Sequence, residues 1–206
     1  MSIFPDPRNS TEEGLLAVGG ALTPASLTEA YSHGIFPWPQ EGYPMLWFSP
    51  DPRGVLDFKD FHVPASLKKW AKSHSQWTFT LNQAFPEVIK RCRRQERPGQ
   101  SGTWITQEIE DAYQVFFQRG HILSMECWEE QKLIGGIYGV DMNGVFSGES
   151  MFFERSNASK MSFWKMVEHL QAQGRSWMDI QMVTPVTESM GGKYISREDF
   201  LQRLGV

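Results

Sequence analysis

Asn143-Gly144 stands between two apolar runs, and that dipeptide in that setting is the strongest short-range hairpin signal a sequence carries. It commits the residues on both sides to antiparallel strands. Val145–Phe153 then reads as a strand with Ser147, Glu149 and Met151 on one face and Phe146, Gly148, Ser150 and Phe152 on the other. Residues 133–140 are its partner, and 121–128 form a third strand across the turn Glu129-Glu130-Gln131, so an antiparallel meander is predicted. Gly135, Gly136 and Gly139 lie inside the middle strand, where glycine is costly unless a backbone or ligand comes close. Glu149 is a carboxylate in an aromatic strand, beside a glycine that leaves room for an approach. A buried carboxylate needs a partner from the protein or from a ligand. For a glutamate taken alone, a structural pair with Arg or Lys is the plainer reading.

Helices are expected around this sheet. Thr23 followed by Pro24 begins one that Gly34 ends, with Leu27, Ala30 and Tyr31 as its apolar stripe. Pro64 opens a second, with Leu67, Trp70 and Ala71 inside and Lys68 and Lys72 outside. Asn82 is expected to cap a third, faced by Phe85, Val88, Ile89 and Cys92. Thr106 caps a fourth, carrying Ile109, Ala112, Tyr113 and Phe116. Residues 157–174 form another, 176–183 a further strand, and Ser196 starts a terminal helix. The proline-rich stretches 34–39 and 44–53 read as stiff loops rather than helix or central strand. Their Trp38 and Trp47 fit the walls of a pocket or packing against the next domain equally well.

Bulk properties narrow the function. No apolar run among the 206 residues approaches membrane-spanning length, and the amino terminus has neither a basic region nor an apolar signal core, so a cytoplasmic protein is expected. Cys92 and Cys127 make no metal or redox spacing and the five histidines are scattered, so no metal is expected. The net charge of −4 argues against a polyanionic ligand, but its distribution argues for one. Between Ser66 and Arg97 the cations Lys68, Lys69, Lys72, Lys90, Arg91, Arg93, Arg94 and Arg97 meet only Glu87 and Glu96, a local balance of +6. That segment is a candidate phosphate-binding face.

On the strand 176–183, alternation puts Trp177, Asp179 and Gln181 on one face. With Glu149 they make two carboxylates and an amide within an otherwise apolar sheet, the setting in which perturbed acids and bases are found.

The chain resembles the leucyl/phenylalanyl-tRNA–protein transferase family. The likeness is carried by Gly19-Gly20-Ala21-Leu22-Thr23-Pro24, Ala30-Tyr31-Ser32-His33-Gly34-Ile35-Phe36-Pro37-Trp38 and Leu46-Trp47-Phe48-Ser49-Pro50-Asp51-Pro52-Arg53. It continues through Thr103-Trp104-Ile105-Thr106, Gly135-Gly136-Ile137-Tyr138-Gly139-Val140, Gly148-Glu149-Ser150-Met151-Phe152, Asn157-Ala158-Ser159-Lys160 and Asp179-Ile180-Gln181. Phe48, Ile180 and Leu123 depart from the tryptophan, cysteine and histidine that the family often has there.

The resemblance implies an α+β chain: a small amino-terminal domain (1–62) and a larger domain (63–206) like the GNAT acyltransferases, with a mostly antiparallel central sheet flanked by helices. It implies transfer of Leu, Phe or Met from aminoacyl-tRNA to proteins beginning with Arg or Lys, marking them for degradation, with no cofactor. Glu149 would hold the α-amino group, and Asp179 with Gln181 would form a polar relay near the ester. Trp38 and Trp104 would flank the terminal adenine. Ile137, Phe146, Gly148, Met151 and Met178 would line the side-chain pocket. Lys68, Lys69, Lys72, Lys90, Arg91, Arg93 and Arg94 would meet acceptor-stem phosphates. No membrane is implied as partner, and a monomer is expected.

Aminolysis of an ester that is already activated needs alignment rather than ATP or a metal, which fits this set of residues. Two other readings are weaker. A coenzyme A-dependent N-acetyltransferase needs a pyrophosphate loop, and the nearest stretch, Arg97-Pro98-Gly99-Gln100-Ser101-Gly102, is out of phase. An RNA-binding module would leave Glu149, Asp179 and Gln181 without a role.

Overall fold

The computed structural model describes residues 2–95 and 103–206. The expected polar loop 96–102, the stretch weighed as a pyrophosphate loop, and Glu96 and Arg97 of the basic segment lie outside the described residues.

Helix α1 (Pro24–Ser32) begins at a reciprocal cap. The Thr23 hydroxyl accepts from the Ser26 N–H at 3.1 Å, and the Ser26 hydroxyl from the Thr23 N–H at 2.9 Å. Around α1 a small antiparallel sheet forms from β1 (Leu15–Val18), β2 (Phe36–Pro37) and β3 (Leu46–Phe48), in the order β1-β3-β2. β2 lies at the edge, where Pro37 deprives the ladder of nothing. β3 is central, contrary to the stiff-loop reading of 44–53. Pro44 and Pro50 fall outside the three residues that pair, and each of those keeps its N–H. Trp47 is 1% exposed, packs in the core, and donates its indole N–H to the Gly19 carbonyl at 2.9 Å. Of the two expected pocket walls, only Trp38 is one.

The second sheet has seven strands: β4 (Arg53–Asp57), β5 (Thr78–Leu81), β6 (Ile122–Glu129), β7 (Lys132–Met142), β8 (Val145–Phe153), β9 (Trp177–Gln181) and β10 (Lys193–Ile195). Their order is β10-β4-β9-β8-β7-β6-β5, antiparallel everywhere except between β8 and β9. The chain is thus α+β, with a mostly antiparallel sheet flanked by helices. α2 (Ala65–Lys72) and α5 (Ala158–Ala172) bury Leu67, Met161, Met166 and Leu170 against one side, with Ile137 and Met178. α1, α3 (Phe85–Arg94) and α4 (Gln107–Gln118) bury Leu27, Phe85 and Tyr113 against the other, with Tyr138 and Phe152. α6 (Pro185–Glu188) and α7 (Arg197–Leu204) close the chain, Phe200 of α7 packing beside Val55 of β4. Among the described residues no helix is long and apolar enough to cross a membrane.

The hairpin at Asn143-Gly144 forms as its sequence demands, but the strand after it does not alternate throughout. Tyr138 faces Ser150 and Gly139 faces Gly148, so Glu149 is the extra residue of a β-bulge. The bulge reverses the parity of everything beyond it. Phe146 therefore packs with Ile137 and Met178, and Phe152 with Tyr138 and Phe85, on opposite sides of the sheet. The expectation that these two aromatics share a face is corrected by one inserted residue. Gly139 is what admits the bulge: a Cβ there would overlap the Ser147 carbonyl and come within 2.8 Å of the Phe146 ring. Gly139→Ala is expected to cost about 1–3 kcal/mol through overpacking, read from the midpoint of urea unfolding.

Asn82 does not cap α3. It sits in the left-handed region at φ 58° and accepts from the Ser124 N–H at 2.8 Å. The helix start is served from β6 instead. The buried carboxylate of Glu126 accepts from the N–H groups of Gln83 and Ala84, each at 3.3 Å, and from the Thr80 hydroxyl at 2.6 Å. A negative charge there also suits the helix dipole.

Candidate active site

The candidate site opens at the one parallel strand pair among the described residues. β8 and β9 are in register at one position, Ser147 opposite Asp179, and then part. A cleft of about 700 Å³ opens there, lined by Trp38, Glu41, Thr103, Trp104, Gly148, Glu149, Ser150, Met151, Ile180, Gln181 and Met182, among others. Glu149 reaches it from the bulge of β8. Gln181 reaches it from the last position of β9, with φ at 57°, a left-handed conformation uncommon for a residue with a side chain. Gly54 on β4 permits this turn, since a Cβ there would stand 2.9–3.0 Å from the Met182 backbone.

Oε1 of Glu149 accepts from the Tyr31 hydroxyl at 2.8 Å and from Nε2 of Gln181 at 2.7 Å. Tyr31 also shares a short hydrogen bond with the Tyr113 hydroxyl. Oε2 is shielded from solvent and has no hydrogen-bond partner among the described residues. An unpaired buried carboxylate oxygen is expensive. The group responds as electrostatics requires: burial pushes its pKa up to about 8. Donation from Tyr31 opposes the rise, the nearby Asp179 charge adds to it, and Arg53 and Gln181 oppose it again. Burial, then the Glu149 charge, also holds both tyrosine hydroxyls well above their ordinary range. Burial therefore favours the protonated form of Glu149. A cation against Oε2 would reverse that balance.

Asp179 is 0% exposed and lies behind the cleft rather than in it. Its Oδ1 accepts from Nε of Arg53 and from the Gln181 backbone N–H, each at 2.9 Å, and its Oδ2 accepts from Nη2 of Arg53 at 2.8 Å. This is a bidentate arginine–carboxylate pair, the strongest geometry available to the two groups. Asp179 thus reaches the cleft only through Gln181.

The indoles of Trp38 and Trp104 lie with centroids 6.0 Å apart and planes 26° apart, stacked on each other at one wall. Ile137, Phe146 and Met178 are buried together, with Met151 against them. Gly148 lies over this group, an added Cβ falling 3.4 Å from the Met178 methyl and 3.7 Å from the Phe146 ring. Of the five expected side-chain-pocket residues, Gly148 and Met151 face the cleft, and the other three form the layer behind them.

The basic segment divides. Lys68, Lys69, Lys72 and Arg94 are exposed and Lys90 half-buried, none of them in an ion pair among the described residues. Arg91 is engaged by Glu87, Glu154 and the Leu133 carbonyl, and Arg93 by Gln107 and Glu110. Those two are held by the protein itself.

Three residues of the site were not legible as such in the sequence. Tyr31 and Tyr113 read as parts of apolar helix faces, which they are but for their hydroxyls. Arg53 read as the end of a stiff loop. A basic residue entering a fully buried strand, Arg53–Asp57, was the available signal, and it required knowing that the strand is buried.

Comparison with known proteins adds an independent line. The family model described as leucyl/phenylalanyl-tRNA protein transferase matches residues 55–205, and that of the family's N-terminal domain matches residues 20–51. The leucyl/phenylalanyl-tRNA–protein transferase of Shewanella baltica (strain OS155) is 45% identical over 98% of this chain and 85% of its own. That of Anaeromyxobacter sp. (strain Fw109-5) is 46% identical over 98% of this chain and 86% of its own. Among solved structures, L-PGS from Bacillus licheniformis superposes with a TM-score of 0.46 at 13% identity, covering 74% of this chain and 50% of that one.

Proposed function

The chain belongs to the leucyl/phenylalanyl-tRNA protein transferase family, and from that premise we propose how its cleft carries the reaction. The enzyme transfers an aminoacyl group from tRNA to the amino terminus of a protein. In the reading we put forward, the group is Leu, Phe or Met, the acceptor begins with Arg or Lys, and the product is marked for degradation. The protein works in the cytoplasm as a monomer and needs no cofactor.

The observation that carries this is the free oxygen of Glu149. Oε1 is fixed by two donors, while Oε2 is shielded and unpaired, on a side chain that lines a cleft with no basic side chain among the described residues. An α-ammonium supplies what that oxygen lacks. The aminoacyl side chain then runs past Gly148 and Met151 towards Ile137, Phe146 and Met178. That pocket, with the flexible thioethers of Met151 and Met178, accepts several apolar shapes and discriminates weakly among them. The terminal adenine stacks on the Trp38–Trp104 platform, which holds a base without reading sequence. Lys68, Lys69, Lys72, Lys90 and Arg94 meet phosphates, with Arg91 and Arg93 in support.

In the chemical step the acceptor's α-amine nitrogen attacks the ester carbonyl carbon, and the C–N bond forms as the C–O bond to the ribose breaks. The ribose oxygen leaves with a proton, and the amine loses one. An α-amino group titrates near pH 7.7–8.0, so a usable share is neutral without a strong base. Alignment by Gln181 and the fixed Glu149 then supplies much of the rate. Asp179, engaged by Arg53 and the Gln181 N–H and buried outside the cleft lining, acts through Gln181 rather than on the substrate itself.

The test is transfer of labelled leucine from charged tRNA to a peptide beginning with Arg, beside the same peptide beginning with Ala. Transfer confined to the Arg peptide is expected. Equal transfer to both would remove the acceptor assignment, and none from any aminoacyl-tRNA would remove the whole reading.

A further inference from the structure

Tyr31 and Gln181 meet at one oxygen of Glu149, although one comes from α1 and the other from β9. A single side chain touches the supports of both. Nε and Nη2 of Arg53 grip the two oxygens of Asp179, whose Oδ1 also takes the Gln181 N–H at 2.9 Å. Its remaining nitrogen, Nη1, donates to the Gly34 carbonyl at 3.0 Å, at the carboxyl end of the helix that carries Tyr31. The guanidinium is 1% exposed and lies between two rings, 4.8 Å from the Phe36 centroid and 4.5 Å from that of Phe200. No other residue type combines a planar fork for a carboxylate with a further donor set at a fixed angle to it.

We propose that Arg53 is a positioning residue of the transfer reaction. Through Asp179 it holds Gln181 in its left-handed conformation. Through Gly34 it holds the end of α1 and so Tyr31. Both donors are thereby brought to Oε1 of Glu149, and Oε2 is left for the substrate. A buried ion pair is a weak stabiliser compared with apolar residues of the same volume. What the pair supplies beyond packing is direction. This rests on the function proposed above for the identity of the reaction.

The test is Arg53→Lys, which keeps the charge and loses the fork. Its melting temperature is expected to stay within reach of the wild type's, and KM for aminoacyl-tRNA within about threefold. kcat is expected to fall roughly 100-fold, the size of effect a displacement near 1 Å produces. The acid limb of the pH–rate profile is expected to move to higher pH, because loosened donors no longer oppose the rise at Glu149. A folded Arg53→Lys enzyme with wild-type kcat and an unmoved profile overturns the proposal, as does a loss confined to KM. If that variant does not fold, Arg53→Met combined with Asp179→Leu leaves no buried charge behind and is read in its place. There, kcat within threefold of the wild type overturns the proposal, and a lost kcat with KM held supports it. A wild type without transfer activity would instead remove the function on which the proposal rests.

Discussion

Glu149→Gln is expected to yield a protein that is more stable when empty and far weaker as an enzyme. The stability half follows from linkage. The folded carboxyl has its pKa raised to about 8 from an ordinary 4.5, so between those values the folded state binds more proton than the unfolded state. Stability from this group is fully present below pH 4.5 and is lost as pH rises through 8. An amide does not titrate. The variant should therefore gain on the wild type progressively from pH 5 to pH 9, by on the order of 5 kcal/mol at the alkaline end for a shift of that size. Chemical denaturation at pH 5, 7 and 9 checks the slope, and a constant difference between the two proteins would sink the assignment of that titration to Glu149. The activity half follows from the lost ammonium partner. Truncating one side of a buried charge pair costs about 2–5 kcal/mol, so kcat/KM should fall by roughly 30-fold to several thousandfold. Residual transfer close to wild type would mean that the α-ammonium binds elsewhere.

The second large effect falls on the fold itself. Asp179→Ala removes the only carboxylate that Arg53 grips among the described residues, leaving a guanidinium at 1% exposure. Breaking a buried pair from one side typically costs about 3–5 kcal/mol. The expected result is a fall of that size in unfolding free energy, together with lost transfer. Removing both charges, by Arg53→Met with Asp179→Leu, should restore most of the stability and none of the rate. A single variant as stable as the wild type would show that Arg53 finds another partner. A double variant as unstable as the single would show that packing rather than charge is at issue.

Sequence reasoning reached the meander, the hairpin and most helix starts, because each of these is written in local pattern; strand patterning singled out Glu149 and Gln181, whereas Trp104 and Met151 entered only with the family resemblance. Asn143-Gly144 admits little but a tight turn, and Thr23-Pro24 little but a helix start. What it missed depends on partners far along the chain. The cap of α3 is Glu126, reached across a sheet, so Asn82 looked better placed than it is. One bulge residue sets Phe146 and Phe152 on opposite faces, and no local rule marks Glu149 as that residue, although Gly139, opposite the neighbouring Gly148, is the enabling sign. β3 was hidden by prolines that flank it without entering it. Tyr31 and Tyr113 look apolar until two hydroxyls are seen to converge on a carboxylate. Arg53 looks like a loop residue until β4 is found buried between β9 and β10.

That last arrangement bears on how the protein comes into being. Arg53 and Asp179 stand 126 residues apart, and Phe200, which covers the guanidinium, comes later still. At a synthesis rate of about 5–20 residues per second, Arg53 waits roughly 6–25 seconds for the carboxylate that makes its burial tolerable. Until then β4 has no neighbour on either side, and the two tyrosines have no fixed glutamate to meet. Pairings so distant in sequence form slowly and close late. A nascent chain therefore passes through translation with its amino-terminal elements made but its chemistry unassembled. Competence arrives as one late event when β9 slots between β4 and β8, and fragments released before that strand is made carry no working centre.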